Sequence, residues 1–101
     1  MSWATLHIAA LQRGETVRFR PKGHSMTGVV NDGDLVEVMP LSVDGPRKGD
    51  VVLCHVAGHD YLHLVKATGA RGVLIGNNRG GINGWTPYNK IFGIGRVIAA
   101  P

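Results

Sequence analysis

Glycine and proline interrupt this chain so often that no apolar run reaches ten residues, and that spacing limits the available folds more than any other feature. Fifteen glycines and five prolines separate short stretches rich in Val, Ile and Leu. Short β-branched runs bounded by turn formers make strands, so the expectation is a mainly β protein. No stretch is long enough for a membrane-spanning helix, and the N-terminal residues lack the charged flank and apolar centre of a signal peptide. With 44% hydrophobic residues in 101, the chain suits a single domain, residues 1–101, built on one core. The lone cysteine, Cys54, can form no internal disulfide and fits a reducing, cytoplasmic setting.

Along the chain, residues 1–14 read as an N-terminal helix and residues 17–98 as a β body. Ser2 to Arg13 is predicted helical, with Ser2 as its cap, Trp3, Leu6, Ala10 and Leu11 as its apolar stripe, and Gly14 as its end. Strands are predicted at Val17–Arg20, Leu35–Met39, Asp50–Val56, Tyr61–Ala67, Arg71–Ile75 and Ile91–Ile98. The glycine- and asparagine-rich segment Gly76–Asn89 reads as a loop. Asp50–Val56 and Tyr61–Ala67 form a hairpin; if Gly58 and His59 are its central turn residues, Cys54 faces His63 and Val56 faces Tyr61. Whatever the register, alternation puts Val52, Cys54, Val56, Tyr61, His63 and Val65 on one face and Leu53, His55, Leu62, Leu64 and Lys66 on the other.

The net charge is +4, and no Asp or Glu follows Asp60. Lys66, Arg71, Arg79, Lys90 and Arg96 occupy that acid-free half five to eleven residues apart. Such dispersed cations, with only Trp85, Tyr88 and Phe92 among them, describe a solvated basic surface and argue against nucleic acid as a partner.

Gly23-His24-Ser25-Met26 sets a serine beside a methionine on a glycine-flanked turn just past a strand end. Asp32-Gly33-Asp34 and Lys48-Gly49-Asp50-Val51-Val52 follow in order. This ordered set, from about Val17 to Ile98, resembles the superfamily of signal peptidases and LexA-like self-cleaving repressors. The resemblance implies a LexA/signal-peptidase-like β-fold and a serine peptidase acting on a protein or peptide, without a cofactor. It makes Ser25 the nucleophile and its backbone N–H an oxyanion donor. Gly23 then leaves room for a substrate backbone, and Met26 serves as a core or pocket-wall residue.

A serine hydroxyl needs a neighbouring base. In the resembled superfamily the base lies on the second arm of such a hairpin, as Lys in some members and His in others. The resemblance places it at His63, giving a Ser-His dyad, with Lys66 as the alternative. His63 accepts a proton near neutral pH without special desolvation, whereas Lys66 would need a large downward shift. The histidine form also carries an Asp after the following strand to orient the ring. Asn77 stands there, as Asn83 does near a second acidic position, so a full triad is not expected. Asp32, Asp34, Asp50 and Asp60 are either substitutes or turn formers bonding their own backbone.

Two rival readings stay open. Cys54, His55, His59 and His63 include zinc-ligand types, but strand alternation turns His55 away from Cys54 and His63, so no metal is expected. A peptidase fold without its chemistry, kept as a binding or oligomerisation module, is the other. Against a repressor, no helical DNA-binding segment and no Ala-Gly or Cys-Gly bond precedes Ser25.

Overall fold

The computed structural model describes all 101 residues. It is mainly β. Helix α1 spans Thr5–Gln12, and seven strands follow: β1 Val17–Phe19, β2 Leu35–Pro40, β3 Val51–Val56, β4 His59–Thr68, β5 Val73–Gly76, β6 Ile82–Thr86 and β7 Ile91–Ala99. They make one antiparallel sheet in the order β1-β2-β7-β3-β4-β5-β6. No helix is long and apolar enough to cross a membrane.

The central strands are buried on both faces, which explains the nearly unbroken apolar run of β3. Val51 and Leu53 join Val36, Val38, Leu62 and Leu64 in one cluster, into which Ala4, Leu11, Met26 and Val30 pack. Val52, Cys54 and Val56 face the other way, into a cluster with Val65, Val73, Ile75 and Ile91. The sheet therefore carries two cores rather than the single one expected. Burying alternate side chains in opposite cores also pins the register, because a one-residue slip would invert every one of them.

Four local expectations are corrected. The helix starts at Thr5 rather than Ser2, although the Ser2 hydroxyl does accept the Ala4 N–H at 3.1 Å. Its docked face is Ala4, Ile8 and Leu11, while Leu6 is 73% exposed, because positions four and three residues apart share a face. The hairpin turns at Ala57-Gly58, both with positive φ (51° and 81°), as a two-residue type I′ turn requires. Val52 therefore faces His63 and Cys54 faces Tyr61, two residues away from the expected pairing, with the predicted faces unchanged as far as Val65. Finally, part of the expected loop at Gly76–Asn89 is strand β6, paired with β5.

Two consequences of this topology shape the site. Val65 on β4 exchanges backbone bonds with Asp50 and Gly49 beside β3, both at 2.9 Å. By antiparallel alternation, the backbone groups of Leu64, Leu62 and Asp60 point to the opposite edge. There Leu64 meets Gly76 of β5, the end of that pairing, so the edge from Asp60 to His63 has no strand beside it.

Candidate active site

Ser25 lies on a short hydrogen-bonded turn that leads out of the Pro21–Gly23 break. Val30 N–H and Val29 N–H close the turn on the Met26 carbonyl at 2.8 and 3.0 Å. Met26 is buried in the core beside Leu62 and Leu64, anchoring the turn, while Ser25 is exposed. Gly23 has φ +114°, a backbone state in which an L side chain is strained. Its N–H donates to the Asp32 carboxylate at 2.7 Å, which ties the two ends of the loop together.

Ser25 Oγ is 3.2 Å from Nε2 of His63. The ring belongs to β4, is 6% exposed, and stacks on Tyr61, two residues earlier on the same face, with centroids 4.5 Å apart. On its far side, Nδ1–H donates to Oδ1 of Asn83 at 2.8 Å. An acceptor oxygen at Nδ1 fixes the proton there, which leaves the Nε2 lone pair facing the serine hydroxyl. Burial lowers the His63 pKa from its ordinary 6.5, with the Asn83 bond opposing the shift. A neutral imidazole aimed at a hydroxyl is a base in its working state.

Asn83, not Asn77, therefore orients the ring. Asn77 Oδ1 instead accepts the N–H groups of Arg79 and Gly81 at 2.9 and 2.8 Å and shapes the β5–β6 turn. Its neighbour Asn78 was not singled out by the sequence, yet it holds the Ser25 turn twice. Its backbone N–H donates to the Ser25 carbonyl at 3.0 Å and its Nδ2 to the Thr27 carbonyl at 2.8 Å. The sequence signal for both residues was the polar segment Gly76-Asn77-Asn78 and the Asn83 position next to it.

Lys66 is placed elsewhere. It sits at the irregularity between Val65 and Ala67, and its alkyl chain runs across Gly76, whose missing side chain makes the space. Of the first-half carboxylates, Asp34 and Asp50 are turn formers, whereas Asp32 accepts the Gly23 N–H across the loop. Asp34 accepts Asn31 N–H at 2.8 Å and Asp50 accepts Arg47 N–H at 2.7 Å. Asp60 is bonded to His55 Nδ1 at 2.7 Å and to the Ser2 hydroxyl. None reaches the His63 ring. Cys54 is fully buried, its thiol pushed up to about 12 by burial and then by the charge of Asp60. No three His, Cys, Asp or Glu side chains converge as metal ligands.

Comparison with protein-family models, curated proteins and solved structures gives no match. The site must therefore be read from its own geometry.

Ser25 and His63 open into a cavity of about 510 Å³. Its walls are Phe19 to Gly23 on one side and the unpartnered edge of β4, Asp60 to His63, on the other, with Met26 and Val30 in its lining and Trp3 and His7 contributed from the N-terminal side. Both substrate-binding candidates, Gly23 and Met26, line it. The Ser25 N–H makes no hydrogen bond within the protein, unlike those of Thr27, Val29 and Val30. This leaves a free backbone donor beside the Ser25 hydroxyl.

Proposed function

We propose that this protein is a serine peptidase of the signal-peptidase and LexA-like type, working in the cytoplasm on a protein or peptide substrate. The observation that carries the reading is the 3.2 Å contact between Ser25 Oγ and a His63 ring whose other nitrogen is engaged by Asn83. His63 Nε2 takes the hydroxyl proton as Ser25 Oγ bonds to the substrate carbonyl carbon. The Ser25 N–H is the donor available to the oxyanion. The imidazolium then gives its proton to the departing amine, and a water activated by the same ring releases the acyl group. The substrate lies extended along the free edge of β4, where backbone pairing holds any sequence and the cavity sorts side chains.

One observation favours a second reading, a binding or oligomerisation module on the same fold. An amide, not a carboxylate, faces His63 Nδ1, and an amide does not offset imidazolium charge. The test is digestion of a diverse peptide library by wild type, Ser25→Ala and His63→Ala between about pH 6 and 9, read by mass spectrometry. Cuts by wild type alone support the peptidase. Cuts that survive His63→Ala but not Ser25→Ala show that His63 is not the base, and no cuts by any protein leave the module.

A further inference from the structure

At the N-terminal side of the groove that leads away from Ser25, a half-exposed Trp3 bridges the two walls. On one side its ring packs on Phe19 of β1, centroids 5.5 Å apart, and on the other its Nε1–H donates to the Asp60 carbonyl at 3.3 Å. That carbonyl belongs to the unpartnered edge of β4. The indole is held there from both neighbouring residues. Ser2 bonds the Asp60 carboxylate through its hydroxyl, and Ala4 is fully buried in the core. His7 stacks on the outer partner, Phe19, at 4.6 Å and thickens the bridge.

An extended ligand on this edge pairs with every second residue of β4. Leu62 offers its N–H and C=O; the next station, Asp60, has its carbonyl occupied by the Trp3 indole. From His63 to Asp60 is three residues, or about 10 Å at roughly 3.3 Å per residue. We infer that Trp3 is a specificity-determining residue that makes the groove blind, so that it takes peptides whose chain ends within about three residues of the site on the Trp3 side. The substrate class is thus a chain terminus rather than an internal segment of a long strand. This inference rests on the proposed strand-edge binding of a peptide at Ser25, and it adds a limit on length.

The test takes the best peptide from the library, chosen by cleavage with wild type or by binding to ¹⁵N-labelled Ser25→Ala protein, and lengthens it one residue at a time at each end. The expected result is a fall of about tenfold in rate or affinity, equivalent to one lost pairing station, when the fourth residue is added on one side only. Short peptides should shift the Leu62 amide resonance and leave the Trp3 indole resonance in place. Trp3→Ala should remove the length limit; Trp3→Phe, which keeps a ring but no N–H, should retain part of it and serves as the check that the fold survives substitution. Rates and affinities independent of length at both ends would overturn the blind groove while leaving the peptidase reading intact. The same length limit in binding, with no cleavage by wild type, would sink the peptidase reading and keep the blind groove. Peptides that neither bind nor react would sink both.

Discussion

His63 Nδ1 and Asn83 Oδ1 lie 2.8 Å apart, so a neutral amide holds the ring that faces Ser25. The amide fixes the tautomer, but in the proposed acyl transfer it would leave the imidazolium without a counter-charge. Asn83→Asp should therefore speed peptide hydrolysis by about tenfold or more, since loss of the corresponding carboxylate charge in a serine triad costs far more than that. Asn83→Ala should slow it. Steady-state rates on one library peptide, together with an NMR titration of His63, check both; the Asp variant should raise the His63 pKa.

The depressed pKa of His63 also sets a pH dependence. The folded protein holds the ring neutral more firmly than the unfolded chain, whose ordinary value is 6.5. The ring is thus neutral at neutral pH, and under the proposed mechanism the acid limb of the rate profile should have its midpoint below 6.5. The same sign applies to stability. The unfolded chain binds the proton first, so this contribution is present above pH 6.5 and is lost as pH falls through the folded pKa. Thermal melts across that range should show a slope that His63→Gln reduces.

Asn78 acts on the site through the turn that carries Ser25. Replacing it with Ala removes the bond to the Thr27 carbonyl, at a cost of about 0.5–1.5 kcal/mol in unfolding free energy. The rate should fall with little change in KM, because the serine rather than the groove loses its position. Chemical denaturation and a kcat-against-KM comparison separate the two effects.

Gly76 supports the same loop by being small. A Cβ there would clash with the Gly81 carbonyl oxygen and stand 2.9 Å from Lys66 Cε. Only the lysine end can give way easily. Gly76→Ala should destabilise the protein by about 1–3 kcal/mol, measurable by denaturation.

Cys54 should be silent to thiol reagents. With the thiol pushed up to about 12 and the side chain fully buried, no thiolate is presented at pH 8. A chromogenic disulfide reagent should react with denatured but not native protein. Fast reaction of the native form would mean that β3 opens readily.

The main strands were legible because Val, Ile and Leu alternate in opposite cores, and the His63 face followed from alternation alone. The hairpin register was not, because the turn puts Ala57 at φ +51°, a state that residue preferences assign to glycine or asparagine, so Gly58-His59 looked the better pair. β6 was missed for a related reason. Ile82-Asn83-Gly84-Trp85-Thr86 contains a glycine at φ +132° and exposes Ile82 and Trp85, so it lacks an apolar period and is a strand only through β5. Losing that strand meant losing Asn83 as the ring's partner. The Ser25–His63 contact was anticipated only through the family resemblance, whereas the choice between Asn77 and Asn83 depended on which of them occupies a turn.

β6 is the last strand of the sheet and pairs with β5 alone. An edge element of this kind opens by local unfolding at a fraction of the global free energy. Each opening would carry Asn83 away from His63 and free the ring to rotate. The Ser25–His63–Asn83 arrangement would then follow a sub-global equilibrium, with β6 amides exchanging hydrogen faster than those of β3, and heating would undo it at a lower temperature than the one that melts the fold.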